Sequence, residues 1–142
     1  MNPDVQAAGY AILVHLFNGG AVSEELRRDI ADLREKRGVG CDMTVTVEDV
    51  RKWVELKAHA REAQAGETLT QTEYLRAEKE GANFYLAVVS GLLEGYETTV
   101  QLYRNPLKTA VWTPTGAVYF TGLAKATHHA YRISHEDQDG ES

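Results

Sequence analysis

The chain of 142 residues lacks the features that mark secreted, disulfide-bonded and membrane-spanning proteins. Its one cysteine, Cys41, excludes an internal disulfide and a cysteine-based zinc site. No segment approaches the roughly 20 apolar residues that a membrane span requires. The apolar run YAILVHLF contains His15 and follows Asp4 rather than a basic region, which is not the pattern of a signal peptide. These absences predict a single domain over residues 1–135, in the cytoplasm and without a membrane partner.

Acidic residues are absent between Thr98 and His135, although the whole chain has a formal net charge of −6. Four acids and no base lie in the last seven residues, EDQDGES, which predicts a solvated, disordered tail over residues 136–142. The acid-free segment contains basic residues, and this asymmetry predicts a face that binds the phosphates of a nucleic acid. These basic residues are Arg104, Lys108, Lys125 and Arg132.

Four segments have helical signatures. Residues 3–17 are alanine-rich and are followed by an Asn-Gly-Gly sequence that ends helices. A serine N-cap and apolar residues at helical spacing predict a second helix over residues 23–37. A third helix is predicted over residues 70–81, where a threonine followed three positions later by a glutamate forms a capping-box signature. A short helix is also predicted over residues 123–132.

The remaining regular segments read as strands. The runs 43–47 and 51–58 are rich in β-branched residues and predict an antiparallel hairpin. FYLAVVS, residues 84–90, is a continuous apolar run of the kind found in strands buried on both faces. A further strand, TTVQLY, precedes a second hairpin formed by TAVWT and GAVYFT. Helices that alternate with strands in this way predict an α/β fold, a mixed sheet flanked by helices with a C-terminal β-extension.

Three charged side chains of the first hairpin point to chemistry. Glu55 and Lys57 alternate with the apolar residues Val54 and Leu56, so both point to the same face of their strand. Asp42 stands just before the other strand. Together they predict a divalent-metal site. The alternatives are a solvated ion pair on an edge strand, which contributes little stability, and a turn aspartate that holds the start of its strand.

The order of these residues resembles two known patterns. G-x-D followed by a strand-borne E-x-K is similar to the metal site of the PD-(D/E)xK nuclease superfamily, whose fold is restriction-endonuclease-like. VELKA, followed by LTQTEYLRAEKEGANFYLAVVSGL and then RNP, resembles the domain named after the C-terminus of the plant protein NO VEIN, over about Gly38 to Pro106. The chain departs from that family's pattern at Thr72 and Asn105, where members have asparagine and aspartate.

The superfamily resemblance implies a restriction-endonuclease-like sheet and an ion, Mg²⁺ or Mn²⁺, held by Asp42, Glu55 and the carbonyl of Leu56. Lys57 would orient or deprotonate the attacking water and offset charge in the transition state. Glu73 would accept a metal-bound water or hold Lys57, although its place in the capping box explains it completely and is the favoured interpretation. Some superfamily members add a glutamate from the first helix; the candidates here are Glu24, Glu25 and Glu35.

The resemblance implies Mg²⁺-dependent hydrolysis of a nucleic-acid phosphodiester, without a distinction between DNA and RNA. The low positive charge favours the alternative, a non-catalytic recognition or assembly module that serves a protein partner or a fused domain. A small-molecule phosphoesterase is a third interpretation, and a homodimer stays open.

Several other side chains are predicted to be structural. Trp53 and Trp112 lie in β-rich runs and are expected to pack in the core rather than to stack on bases. His128 and His129 do not predict a metal site, because adjacent residues of a helix point about 100° apart. Cys41 is expected to point into the core on the face opposite its neighbour Asp42.

Overall fold

The computed structural model describes residues 3–19, 29–114 and 118–133. Its helices are α1 (Pro3–Phe17), α2 (Gln71–Glu80) and α3 (Pro106–Thr109). Its strands are β1 (Ile30–Asp32), β2 (Met43–Val47), β3 (Val50–Ala58), β4 (Glu67–Leu69), β5 (Phe84–Ser90), β6 (Thr98–Arg104), β7 (Val111–Pro114), β8 (Val118–Thr121) and β9 (His129–Ile133). Single 3₁₀ turns occupy Gly81–Asn83 and Leu123–Lys125.

The main sheet has six strands in the order β1-β2-β3-β5-β6-β9. Only β3 and β5 are parallel neighbours, with Trp53 opposite Phe84 and Ala58 opposite Val89; the other neighbours are antiparallel. A parallel pair needs a crossover connection, and here that connection contains β4 and α2. The predicted α/β fold with a mixed sheet is therefore confirmed.

Each face of the main sheet has its own apolar core. On one face α1 packs against β3 and β5, and residues such as Leu13, Leu56 and Val100 are buried there. On the other face lie α2 and a small sheet of order β4-β8-β7, whose Phe120 packs with Phe84 of β5. The continuous apolar sequence of β5 follows from this arrangement, because a strand covered on both faces buries its side chains, here all except the half-buried Tyr85.

The central strand β3 divides its side chains between these two faces. Val54, Leu56 and Ala58 belong to the core beneath α1, whereas Trp53 packs with the core beneath α2. Because strand residues alternate, Glu55 and Lys57 share the face of Trp53. The sheet thus brings both charged residues beneath the first turn of α2.

Helix α2 begins as its sequence predicts. The hydroxyl of Thr70 accepts a hydrogen bond from the Glu73 backbone, and a Glu73 carboxylate oxygen accepts one from the Thr70 backbone. This reciprocal pair satisfies two donors that the first turn would otherwise leave without partners. The predicted capping box is confirmed, as are the 3–17 helix, both hairpins and the buried strand at 84–90.

Two of the predicted helices are wrong where the structure describes them. The second half of the predicted 23–37 helix contains β1 and a series of turns, because Ile30–Asp32 pairs with β2 at the edge of the sheet. The predicted 123–132 helix is a single 3₁₀ turn followed by β9, which pairs with β6. The connection predicted over 59–67 ends in β4, whose Glu67 is buried.

Some predictions fall outside the described residues, namely the acidic tail at 136–142 and the glutamates Glu24 and Glu25. Among the described helices, none has the length and apolarity that a membrane crossing demands.

Candidate active site

Lys57 lies between two carboxylates on the α2 face of the sheet. Its Nζ is 3.3 Å from Oε2 of Glu55 and 3.1 Å from Oε1 of Glu73. Only 15% of the Lys57 side chain and 6% of the Glu55 side chain are exposed. The strand that carries them is interior to the sheet, so a solvated pair on an edge strand does not describe this geometry.

Asp42 immediately precedes β2, at the end of the hairpin where β3 extends beyond its partner strand. The last β2–β3 pair is Met43 with Val54, and beyond it the Asp42 backbone N–H donates to the Val54 carbonyl at 3.0 Å. The Asp42 carboxylate then accepts the Leu56 N–H through Oδ2 at 2.7 Å. The side chain therefore extends the pairing of β3 past the end of its partner strand, which is the structural role that a turn aspartate would have.

Asp42 and Glu55 are close enough for their side chains to hydrogen bond, and their environment disfavours ionisation of both. Burial is the largest cause that raises the pKa of the Asp42 carboxyl. The pKa of Glu55 is raised well above its usual value, first by burial and then by the negative charge of Asp42. Both shifts express the free-energy cost of holding negative charge in a poorly solvated place.

The pKa of Lys57 moves in the opposite sense, toward a more stable charged form. Burial by itself lowers this pKa, but the attraction of Glu55 and Glu73 outweighs burial, and the net shift is upward. Lys57 is therefore an ammonium at neutral pH. With Asp42 included, three carboxyl groups surround one ammonium, so the cluster has an excess of acidic groups.

Glu73 has two roles at once. The same Oε1 atom accepts the Thr70 N–H of the capping box and the Lys57 ammonium, each at 3.1 Å. The capping interpretation and the interpretation in which Glu73 holds Lys57 are both correct. This shared atom fixes the first turn of α2 to the central strand.

A cleft of about 260 Å³ opens over this cluster. Asp42 and Glu55 line its floor, and Thr70, Thr72 and Glu73 of the α2 start line one wall. Other lining residues come from the β1–β2 loop, residues 33–42, which we call the rim loop. It contributes three basic residues that the sequence did not single out, Arg34, Lys36 and Arg37.

The cleft contains no preassembled set of three metal-binding side chains. Within residues 3–19, 29–114 and 118–133, no three His, Cys, Asp or Glu side chains are grouped to hold a metal ion. The predicted ligand set has two carboxylates, Asp42 and Glu55, and one backbone carbonyl, that of Leu56. Glu35, the described candidate for an additional acidic ligand, is exposed and is not among the residues that line the cleft.

The four basic residues predicted to bind nucleic acid do not line this cleft. Arg132 is on β9, at the opposite edge of the main sheet from β1, and pairs with Glu97 in an exposed ion pair. Arg104 donates to the Ala82 carbonyl at 2.8 Å. Lys108 lies in α3, and Lys125 lies in the 3₁₀ turn that precedes β9. Their binding of nucleic acid stays a prediction for a surface away from the cleft.

The aromatic predictions agree with the contacts. Trp112 donates its indole N–H to the Leu107 carbonyl and packs against Tyr74, and Trp53 packs in the core with the Arg76 guanidinium 4.0 Å from its ring centre. His128 stacks on Tyr103, with ring centres 4.9 Å apart.

Cys41 is buried as expected, but it lies on the same face as the acidic cluster. Burial raises the pKa of its thiol to about 12, and the charge of Glu55 contributes to that shift. The expectation of the opposite face is wrong because Cys41 and Asp42 precede β2, where strict alternation does not yet apply.

Comparison with protein families shows which family the chain belongs to. The family model described as "Protein NO VEIN, C-terminal" matches residues 17–103. The chain belongs to the NO VEIN C-terminal domain family. No curated protein and no solved structure matched the chain. The segment that matches the NO VEIN C-terminal family includes the rim loop and the whole cluster around Lys57, and it ends just before Arg104.

Proposed function

We propose that this NO VEIN C-terminal domain hydrolyses nucleic-acid phosphodiester bonds with the help of Mg²⁺ or Mn²⁺. The observation that carries the proposal is the convergence of Asp42, Glu55 and Glu73 at one cleft, with the Lys57 ammonium in contact with both glutamates. These residues come from the end of the rim loop, from β3 and from α2. They have the residue types and order of a D…ExK nuclease site, and the mixed sheet around them supports a restriction-endonuclease-like arrangement.

The charge of the cluster fits a divalent cation. Asp42 and Glu55 are buried carboxyl groups with raised pKa values, and Lys57 alone does not balance them and Glu73. A hard cation with oxygen ligands would stabilise both in their ionised form. When bound, such an ion supplies Lewis-acid activation of a phosphoryl oxygen and a more acidic bound water.

The backbone of Leu56 is suitably placed to complete the ligand set. Its N–H points to Asp42, on the side where β2 has ended. In an extended strand the N–H and C=O of one residue point to the same side, so the Leu56 carbonyl also faces that side. Asp42, Glu55 and this carbonyl would then hold the ion.

Lys57 contributes a fixed positive charge rather than a base. Its raised pKa keeps the proton on Nζ, and contacts with Glu55 and Glu73 restrict the position of the ammonium. A positive charge held in a poorly solvated site stabilises the negative charge that develops on the phosphoryl oxygens, and the site need not rearrange to do so. Glu73 acts as the residue that positions Lys57.

The size of the cleft favours a polymer substrate over a free small molecule. Its volume of about 260 Å³ is below the roughly 300–1,000 Å³ of typical small-molecule pockets. A nucleic-acid strand needs to insert only one phosphate while the rest lies across the surface. This argues against the small-molecule phosphoesterase.

One observation favours the second candidate, a non-catalytic recognition or assembly module. Each acidic side chain of the cluster already has a structural partner: Asp42 accepts the Leu56 N–H, and Glu55 and Glu73 pair with Lys57. A cluster with these contacts can stabilise the crossover connection without any metal. The two candidates therefore differ in whether a divalent ion binds.

The deciding experiment is cleavage of single- and double-stranded DNA and RNA in Mg²⁺ and in Mn²⁺. We expect Asp42→Asn and Lys57→Ala to lower the rate on the order of 10²–10³-fold. Glu62→Gln is the matched control, because Glu62 is an exposed carboxylate outside the cleft. Lys57→Ala leaves buried carboxylates unpaired, so the thermal unfolding of this variant is measured as well. The cleavage rate of Asp42→Asn is the result that depends least on a change in stability.

Equal rates in Asp42→Asn and wild type would contradict the proposal, because they would place the activity elsewhere. Wild-type protein that binds no divalent ion and cuts no strand would support the recognition module instead.

A further inference from the structure

The rim loop brings positive charge to the cleft that contains the acidic residues. Arg34, Lys36 and Arg37 occupy three of four consecutive positions and line the same cleft as Asp42 and Glu55. A strand of nucleic acid that approaches the acidic cluster would be repelled by the carboxylates. Cations at the entrance would offset that repulsion and attract the flanking phosphates.

The rim loop is held in a defined position against α2. Arg76 of α2 donates its Nε–H to the Val39 carbonyl at 2.8 Å. Gly40 lies so close to the helix that a Cβ there would be 2.5 Å from the Thr72 carbonyl oxygen. The Leu33 N–H also donates to the Asp42 carbonyl at 2.9 Å, which closes the base of the loop. The basic residues are thus presented from a constrained turn.

The three basic residues differ in what they already bind. Arg34 makes a two-point contact with Asp32, at 3.0 and 2.7 Å, and stacks on Tyr10 with its guanidinium 3.8 Å from the ring centre. Lys36 and Arg37 are exposed, and no described residue is a hydrogen-bond or ion-pair partner of their side chains. Within the described part of the chain, these two positive charges have no partner that would compete with a ligand.

We propose that Lys36 and Arg37 bind the phosphates that flank the phosphate reaching the acidic floor. The ligand is a phosphodiester strand, and its identification as the substrate rests on the proposed function. The first turn of α2 also lines the cleft, and the positive end of its helix dipole favours anions there. Lys36, Arg37 and this helix end therefore attract a ligand phosphate, whereas the carboxylates of Asp42, Glu55 and Glu73 repel it.

This surface is distinct from the one that the sequence predicts. Arg132 lies on β9, three strands away from β3 in the main sheet. Neighbouring strands are about 4.8 Å apart, which makes this separation roughly 14 Å. A nucleic-acid strand that enters the cleft would meet Lys36 and Arg37 before the basic residues of the other surface.

The test measures binding separately from hydrolysis. Fluorescence anisotropy of labelled 20-nucleotide DNA and RNA strands is recorded in EDTA at several NaCl concentrations, with the full 142-residue chain. The variant is Lys36→Glu/Arg37→Glu. The matched control is Arg61→Glu/Lys79→Glu, which changes the net charge equally at two exposed residues outside the cleft. Thermal unfolding of each protein verifies folding.

We expect the rim-loop variant to bind on the order of tenfold more weakly or worse, and the slope of log Kd against log salt to fall by about 1 to 2. The control is expected to keep most of the wild-type affinity. The DNA and RNA titrations show which strand is preferred.

Equal losses in variant and control would overturn the inference, because they would indicate a response to net charge alone. Wild-type protein that binds neither strand would overturn it too. Cleavage in Mg²⁺ that is the same in the rim-loop variant and wild type would uphold the proposed hydrolysis and refute the role of the rim loop. Binding that depends on Lys36 and Arg37 without any cleavage would uphold the role of the rim loop and refute the proposed hydrolysis.

Discussion

Single side chains of the acidic cluster serve structure and chemistry together. Asp42 completes the pairing of β3 and is a candidate ligand, and Glu73 caps α2 while it holds Lys57. Glu55 differs from both. Its carboxylate is buried and pairs with Lys57, but Lys57 keeps a second partner in Glu73 if Glu55 loses its charge. Substitution at Glu55 therefore separates the cost of buried charge from the loss of a structural contact.

We predict that Glu55→Gln is more stable than wild type near pH 8 in EDTA, by on the order of 1 kcal/mol, while it is inactive as a nuclease. The raised pKa of Glu55 means that the folded state binds more protons than the unfolded state between the ordinary carboxyl pKa of about 4 and the raised value. Wild-type stability conferred by this group is complete below that interval and is lost as pH rises through it.

The measurement is urea unfolding of both proteins from pH 4 to pH 8. The gap between Glu55→Gln and wild type is expected to close toward pH 4, where both side chains are neutral. Glu62→Gln, at an exposed carboxylate, is expected to show no comparable pH-dependent gap. A Glu55→Gln protein that is less stable than wild type at pH 8 would show that the Lys57 contact outweighs the cost of burial.

At this scale the sequence was informative about the floor of the site and uninformative about its rim. Alternation along VELK placed Glu55 and Lys57 on one face, and the capping box located Glu73. The basic residues Lys36 and Arg37 were missed because a helix predicted over 23–37 would have distributed them around its axis. In the observed turn both line the cleft, and the hydrogen bond from Arg76 to the Val39 carbonyl joins this loop to α2.

At the scale of elements, the rim loop and α2 meet at Gly40. This residue has a φ of +81°, and a Cβ there would lie 2.5 Å from the Thr72 carbonyl oxygen and 2.9 Å from Cβ of Arg76. We predict that Gly40→Ala lowers the free energy of unfolding by roughly 2 kcal/mol or more, since it combines backbone strain with a clash. It is also expected to weaken strand binding, because the loop must move away from the helix.

Gly38→Ala is the matched control for that prediction. Gly38 has a similar φ of +76°, but no atom lies within 4 Å of a Cβ built there. The control isolates backbone strain, with an expected cost of about 1 kcal/mol. Chemical denaturation of the three proteins gives the comparison. Equal costs at the two glycines would mean that contact with α2 does not constrain the rim loop.

Elements with strong local signals were predictable, and elements defined by distant pairing were not. The 70–81 helix has its own cap, and FYLAVVS is apolar over a full strand length. By contrast, β1 is three residues long and exists through its pairing with β2. Strand β9 likewise exists because it pairs with β6. Its side chains are mostly exposed, so its sequence has no alternation of apolar and polar residues that would predict a strand. Tertiary context overrides local propensity in such cases.

At the scale of the whole molecule, a bound divalent ion would act as a stabilising ligand. A ligand that binds only the folded state raises the free energy of unfolding by mass action, by about 2.7 kcal/mol at a concentration one hundred times its dissociation constant. We predict that Mg²⁺ or Mn²⁺ raises the Tm of wild type in proportion to the logarithm of its concentration. Asp42→Asn is expected to lose this response.

The measurement is a thermal scan over increasing MgCl₂, compared with NaCl of the same ionic strength. The salt control is necessary because the chain has a net charge of −6, and any cation screens that charge. A rise of Tm that is equal in NaCl and MgCl₂, or equal in Asp42→Asn and wild type, would leave the cluster as a purely structural device.

The unequal lengths of β2 and β3 have a consequence for how this family can vary. Strand β3 has nine residues against five in β2, so residues beyond Val54 have β5 on one side and a notch on the other. If the carbonyl at position 56 is a metal ligand, the ligand atom belongs to the main chain, and metal binding there does not depend on which side chain the residue has. Leucine there can be exchanged for another apolar residue that fits beside Gly9, because the Leu56 methyl carbons lie 3.5 Å from where a Cβ built on Gly9 would be. Proline is different, because it would remove the N–H that Asp42 accepts. Position 56 can thus drift during evolution while its oxygen stays in place.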